Sequence, residues 1–464
     1  MIKIDRLYFD ITHTVQYGLN TGLQRSVRNI FTHSIRLAPR YGARIQAVVY
    51  GKSGLIPVDI DPAEVFITVR SKELVVRKIY NKLRSAMAVL LPFKCVKDFV
   101  WAPSDRPGLT SMLLWPSRAS PKLLMHLRGG KAIPPSAMSG STPQIDSKGA
   151  ALVLFDASWD YAGFMEHVAA FVDKGGHIIG IVCDIIPLTH PQYCSVKLQG
   201  VFRVWIENLL RIAEFIVCIS EFTSRQLIDF ADNEIRQGRL TRRPRISYFH
   251  LGAGLKLDLH RVNMPVSRTM TSIFSRCEDV FIVVGSIDPR KNHTFILDAF
   301  DQIWEKEGKS TLVIIGQNDW EADKFLRRVA DHPRLGTNLH LIRNANDADL
   351  DYAYDHASAL IFASVIEGFG LPIVESIQRG LPVLCSDIPV FREIANENVI
   401  FFGLDSPSRL AAAITQYHAS AGKRGRRSGN HQAWITWEES TKQLLDQIFG
   451  SNQGEQCVTR PGAD

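Results

Sequence analysis

The 464-residue sequence predicts an α/β protein built from two Rossmann-like domains. Three observations carry this. Short apolar runs alternate with amphipathic segments through both halves, the pattern of parallel sheets covered by helices. The chain is longer than one hydrophobic core supports. Around Ser364–Ser386 an apolar run, a glycine-punctuated turn, a helix opened by Pro372 and a second apolar run follow one another as a βαβ unit does.

Composition sets the bounds. Hydrophobic residues make up 45% and charged residues 22%, as in ordinary globular proteins. The start, MIKIDRLYFDIT, lacks the layout of a signal peptide, and no apolar run reaches bilayer length, so a cytoplasmic chain is expected. Seven cysteines, none in a CxxC pair, fit a reducing compartment. A net charge of +7 favours an anionic partner such as a nucleotide, a lipid phosphate or a membrane surface. The aromatic and basic interleaving of an RNA module is missing, which sets nucleic acid aside.

In the first half, residues 2–11 read as the opening strand. Asn20–Arg25 is a turn leading into a helix with Leu23, Val27, Ile30 and Phe31 on one side. Gly22 lets backbone approach a ligand, and Arg25 is either a phosphate or hydroxyl contact or a surface arginine. Val48–Tyr50 suggests the second strand. Arg70–Lys97 carries eight Lys or Arg against Glu73 alone, with apolar residues at near-helical spacing. It is either a membrane-surface helix or a helix with a solvated basic face. Residues 102–150 are rich in Pro, Ser and Gly and read as loop with short strands. Alternation resumes with the strand at Ala151 and a helix ended by Gly175 and Gly176. The next strand ends at Asp184, and ligands of parallel sheets bind beyond such ends. Asp184 is a candidate site acid or a strand-end cap, and His190 a weaker candidate. Ser220 suits an N-cap. Arg245–Gly254 is the last strand, and 255–276 reads as a linker without periodicity.

The second half opens with a strand at 280–286, a turn at Asp288–Lys291 and a helix expected to be capped by Asn292. Arg290 and Lys291 place two cations at that helix start. Strands follow at 311–316, 338–342 and 359–363. Asp347 and Asp349 form a D-x-D at a helix start, where acids suit the helix dipole. Gly368 and Gly370 then lead a helix whose free N–H groups make an anion site. Glu367 and Glu375, on loop and helix, can face one ligand, and carboxylates beside an anion site suit a sugar nucleotide. KRGRR (Lys423–Arg427) is a basic loop, and WITWEESTKQLLDQIF a closing amphipathic helix.

The string E-G-F-G-L-P-x-x-E from Glu367 to Glu375, with G-x-P-V after it, closely resembles the E-x7-E signature of glycosyltransferase family 4. N-T-G-L-Q-R, C-D-I-I-P-L-T-H-P and the P-R-K-N turn resemble segments of its bacterial mannosyltransferase-like group. The resemblance implies a GT-B fold, with the two domains facing across a cleft and a C-terminal helix crossing back to the first. The domains are expected at 1–265 (with an insertion over about 51–150) and 277–430, with the crossing helix at 431–450, and the tail at 451–464 reads as disordered. It implies a retaining, metal-independent transferase using a nucleotide-sugar and no further cofactor. By the same resemblance Glu367 and Asp184 are catalytic candidates. Arg290, Lys291, Gly368, Phe369, Gly370, Leu371, Glu375 and Gly22 are donor-binding, and Arg25 an acceptor or phosphate contact. Members often carry Arg after the glycine where this chain has Ser286, which shifts charge compensation to Arg290 and Lys291. GDP-mannose is the first expectation for the donor, with UDP- and dTDP-sugars open. The acceptor is expected to be a lipid-linked saccharide of a surface polysaccharide. An inactive binding protein or a sugar-nucleotide epimerase of the same fold are the alternatives.

Overall fold

The computed structural model describes residues 4–17, 21–51, 54–59, 145–254, 265–277, 279–306, 308–421 and 433–450. The basic segment 70–97, the KRGRR loop and the 451–464 tail lie outside them.

The first half forms a seven-stranded sheet, β3-β2-β1-β4-β5-β6-β7. Its strands are β1 (Arg6–Asp10), β2 (Arg44–Gly51), β3 (Gly54–Val58), β4 (Ala150–Leu154), β5 (His177–Val182), β6 (Phe215–Cys218) and β7 (Arg245–Tyr248). Among the described residues only β3 runs antiparallel to its neighbour. The second half forms a parallel six-stranded sheet, β10-β9-β8-β11-β12-β13. Here β8 is Val280–Val284, β9 Thr311–Ile315, β10 Leu339–Ile342, β11 Ala359–Phe362, β12 Val383–Ser386 and β13 Val399–Phe402. Central strands such as β4, β9 and β11 are buried at every residue. That is why they read as unbroken apolar runs rather than as alternation.

Strand order reverses between β1 and β4 in one sheet and between β8 and β11 in the other. Ligands of open α/β sheets bind in the crevice outside the carboxyl ends at such points. Asp10, Asp156, the Asp288–Lys291 turn and the Glu367 loop lie at the carboxyl ends of those four strands.

The C-terminal helix Trp437–Phe449 packs on the helix Gly22–Leu37. The Tyr41 ring stacks on Phe449 at 5.3 Å, and its hydroxyl donates to Asp446 at 2.6 Å. The Trp434 and Trp437 indole N–H groups donate to the carbonyls of Leu251 (2.8 Å) and Gly254 (3.1 Å). The helix returns to the first half, as expected.

Two local features differ from the sequence expectation. The stretch read as an aperiodic linker contains the helix Arg268–Arg276, capped by Ser267. Only Met270 and Ile273 are buried along it, too few apolar anchors to reveal a period. Asn292 does not cap the next helix through its side chain. Its backbone is left-handed (φ 57°) and its side chain makes no cap bond. Asparagine tolerates that conformation, and the chain needs it to bend from the short turn Pro289–Lys291 into the helix His293–Glu305. Asp349 does join the dipole-complementing arrangement expected of it. It forms a capping box with Asn346 and accepts the Ser267 N–H at 2.7 Å.

Candidate active site

The second half supplies a charged wall. After β8, Asp288 accepts from the Lys291 N–H (3.2 Å) and the Ser286 hydroxyl (2.7 Å), which closes the turn and projects Arg290 and Lys291. After β11, Ser364 and Glu367 meet them. Glu367 Oε2 pairs with Arg290 Nη1 at 2.5 Å. Glu367 Oε1 takes Lys291 Nζ and the Ser364 hydroxyl, the latter at 2.9 Å. Lys291 Nζ also lies 4.4 Å from the centre of the Phe362 ring. The Val365 N–H donates to the Arg290 carbonyl at 2.9 Å, which fastens the two loops to each other.

The charges are strongly coupled. Burial would raise the Glu367 carboxyl, but Arg290 and Lys291 bring it down to about 2. Burial lowers the Lys291 ammonium, with Glu367 opposing. Burial acts the same way on Arg290, but Glu367, Asp288 and Asp184 outweigh it and raise the guanidinium. The site therefore holds an ionised carboxylate between two cations at neutral pH.

The first half presses against this wall at Gly368. A Cβ there would sit 2.0 Å from the Cys183 carbonyl oxygen and 2.9 Å from Asp184 Cβ, so only glycine admits the contact. The Ser220 hydroxyl donates to the Gly368 carbonyl at 2.7 Å while accepting the Thr223 N–H as N-cap. Asp184 Oδ1 accepts the Ile186 N–H at 2.9 Å, so its strand-end capping role is real. Burial raises its carboxyl, while that hydrogen bond and Arg290 lower it and Glu367 raises it further. Asp184 thus shares a field with the charged wall.

Gly370 (φ 140°) turns the loop into the helix Leu371–Gln378, beginning one residue before Pro372. Gly22 faces this start, with its would-be Cβ 3.5 Å from Leu371 Cδ1. Nearby, Arg25 is ion-paired with Glu375 Oε1, and the Tyr354 hydroxyl donates to Glu375 Oε2 at 2.8 Å. Phe369 points elsewhere. It is buried, with ring centres of His250 and Trp434 each 6.1 Å away. Only its backbone belongs to the loop's inner face. His190 is stacked on Tyr193 at 6.5 Å and bonded to the Thr189 hydroxyl.

The named residues thus fall on one cleft: Gly22, Arg25 and Asp184 on one side, and Arg290, Lys291 and Glu367 through Leu371 with Glu375 on the other. Sequence reading missed Tyr354, Ser364 and Asp288, which hold these groups in place. It also missed Glu393, which accepts the Glu221 and Phe222 N–H groups (2.7 and 2.9 Å) and meets His250 at 2.7 Å. Ser364 and Asp288 open two segments that the sequence singles out, but were given no role there. Tyr354 and Glu393 lie in ordinary helices and carry no local signal.

Residues 274–434 match the family model for glycosyl transferases group 1. The serotype-specific mannosyltransferase WbdA of Escherichia coli is 30% identical over 68% of this chain and 39% of its own length. The second half of the chain belongs to this family. The O-antigen chain mannosyltransferase B of Escherichia coli is 27% identical over 36% of this chain and 44% of its own. The chain thus spans less than half the length of these curated group 1 relatives in the matched regions. Among solved structures, sucrose-phosphate synthase from Thermosynechococcus elongatus superposes with a TM-score of 0.56 at 15% identity, covering 96% of this chain and 99% of that one. Anabaena HepE, crystallised with UDP and glucose, gives 0.55 at 12% identity with the same coverage. At such identity these structures establish the GT-B fold of this chain.

Proposed function

We propose that the chain is a retaining hexosyltransferase. It moves a hexose, mannose before others, from a nucleotide-sugar to a hydroxyl of a growing lipid-linked bacterial surface polysaccharide, without a metal. The observation that carries this is Arg290 and Lys291 meeting Glu367 at the N-terminus of the helix that bears Glu375. The relatives' mannosyltransferase names favour GDP-mannose, and the HepE complex favours a nucleoside diphosphate in a cleft of this fold. The net charge of +7 suits work at the inner membrane face, and among the described residues no helix is long and apolar enough to cross a membrane.

The chemistry follows from the charges. The C1–O bond to the diphosphate breaks, and negative charge develops on the leaving phosphate. Arg290, Lys291 and the loop N–H groups at Phe369 and Gly370 meet that charge. Donors fixed in place before the charge develops supply most of the acceleration at such a site. A carboxylate oxygen has two lone pairs. Among the described residues, Glu367 Oε1 accepts two hydrogens and Oε2 one, which leaves Oε2 to take a sugar hydroxyl and support the electron-poor ring. The Glu375 oxygens, each with one such partner, retain lone pairs for the ribose hydroxyls. The acceptor hydroxyl attacks C1 on the face the phosphate leaves, and its proton passes to that phosphate. Asp184 orients the donor sugar or assists the transfer.

Nucleotide release from GDP-mannose, UDP-glucose and dTDP-glucose, with thermal shifts by GDP, UDP and dTDP, tests the reading. A nucleotide at 100 times its Kd stabilises by about 2.7 kcal/mol. Lys291→Ala and Glu375→Ala are each expected to lower transfer roughly 100-fold or more. Wild-type turnover by folded Glu375→Ala protein would refute the site assignment.

A further inference from the structure

Beside the charged wall lies a cavity of about 590 Å³, open to Asp184 and Arg290. That volume is within the roughly 300–1,000 Å³ of small-molecule sites. Part of its lining is aromatic. Trp159, half-buried, comes from the first half, and Trp320, also half-buried, from the second.

The Trp159 indole is held from behind, and the backbone that carries Trp320 is tied down. Asp156 accepts the Ala157 N–H at 2.9 Å, and its carbonyl accepts the Ser158 N–H at 2.8 Å, which fixes the short turn Ser158–Asp160. Trp159 then leans on Trp205 (5.3 Å) and Phe202 (5.9 Å), both buried. On the other side, the loop after β9 is zipped to the basic turn. The Ile287 N–H donates to the Gln317 carbonyl at 2.8 Å, and the Asp319 N–H donates to the Ile287 carbonyl at 3.2 Å. Asp319 Oδ1 accepts the Trp320 N–H at 2.8 Å. The Trp320 loop is thus tied to the turn that carries Arg290.

The charge of the cavity selects its occupant. Among the described residues, Asp184, Asp288 and Asp319 line it against Arg290 alone, and Arg290 is already paired with Glu367. Away from Arg290 this surface is acidic. It offers carboxylate acceptors to hydroxyls and flat apolar faces to C–H groups, the two halves of a sugar ring. We propose that this cavity is a saccharide subsite in which Trp159 and Trp320 stack on the acceptor's terminal ring and Asp184 receives a ring hydroxyl. Naming that ring the acceptor rests on the transferase reading; the binding of a ring there does not. Trp159 and Trp320 are then specificity-determining residues.

The test uses octyl α-D-mannopyranoside and the full chain with GDP present, read by saturation-transfer NMR. Saturation of the ring protons is expected, with Kd rising roughly tenfold in Trp320→Ala and in Trp159→Leu, the loss of one aromatic contact each. Saturation confined to the octyl chain would assign the cavity to lipid and overturn the proposal. So would a Kd within about twofold of wild type in both variants, with their folding verified by circular dichroism. Trp320, on a surface loop, guards against a misfolded Trp159 variant. In transfer assays the acceptor KM is expected to rise by the same factor, with GDP affinity unchanged. Ring saturation without turnover on any donor would overturn the transferase reading and leave the subsite standing. Turnover without ring saturation would do the reverse.

Discussion

Replacing Glu367 by glutamine removes one charge from between two half-buried cations. The carboxyl goes from an ordinary 4.5 to about 2 on folding. That change stabilises the folded protein by about 3 kcal/mol at neutral pH. The glutamine variant also leaves Arg290 and Lys291 short of one balancing charge, and removing one partner of a buried pair costs about 3–5 kcal/mol. That cost matches the stabilisation lost. Because the folded value lies below the unfolded one, the stabilisation is complete above about pH 4.5 and fades as pH falls through about 2. Urea denaturation of wild type and Glu367→Gln should therefore show a gap of about 3 kcal/mol at pH 7, narrowing to about 1 kcal/mol at pH 3. At neutral pH the melting of the second half should drop by roughly 6–12 °C. A gap under about 1 kcal/mol at pH 7, or one indifferent to pH, would refute the placement of this carboxylate between the two cations.

Other outcomes follow from the same geometry. Gly368→Ala must push Cys183 away from the loop, so stability should fall by about 1–3 kcal/mol and transfer should drop with it, as urea titration and donor turnover will show. Glu393→Ala removes the acceptor at the N-terminus of the helix Glu221–Arg236 and should cost about 1–2 kcal/mol, read by the same titration. Asp10 and Asp156 are both buried, and burial raises each carboxyl above the ordinary range, Asp10 further because Asp156 is near. A raised folded value gives stability that is present in acid and is lost as pH rises toward neutrality. The melting temperature of wild type should thus fall between about pH 4 and pH 7, while Asp10→Asn, which can still accept from Thr12, should flatten that slope.

Much of the architecture was legible because fully buried parallel strands are continuous apolar runs with helical segments between them. Alternation in 151–254 and 280–402 therefore located most strands and helices there without further help. Short elements with few buried anchors escaped, as the helix Arg268–Arg276 shows with Met270 and Ile273 alone inside. Asn292 misled because an asparagine at a helix start reads as a cap, whereas its side chain makes no such bond in the folded chain.

The site divides in the same way. Glu367, Gly368, Gly370 and Glu375 were identifiable from sequence because they share one loop and helix start, within an unbroken string that resembles a family signature. Lys291 and Arg290 were identifiable because a helix start draws attention to charge. What only the tertiary structure decided is which groups meet. Lys291 and Glu367 lie 76 positions apart, and Arg25 and Glu375 belong to different halves of the chain, yet both pairs are in contact. Those contacts depend on two strand orders that reverse beside β1 and β8 and on a closing helix that ties one half to the other. Local sequence sets the propensity and chemistry of each segment. Long-range packing, which no window of residues contains, converts them into an ionised carboxylate between two cations at the edge of a cavity walled by Trp159 and Trp320.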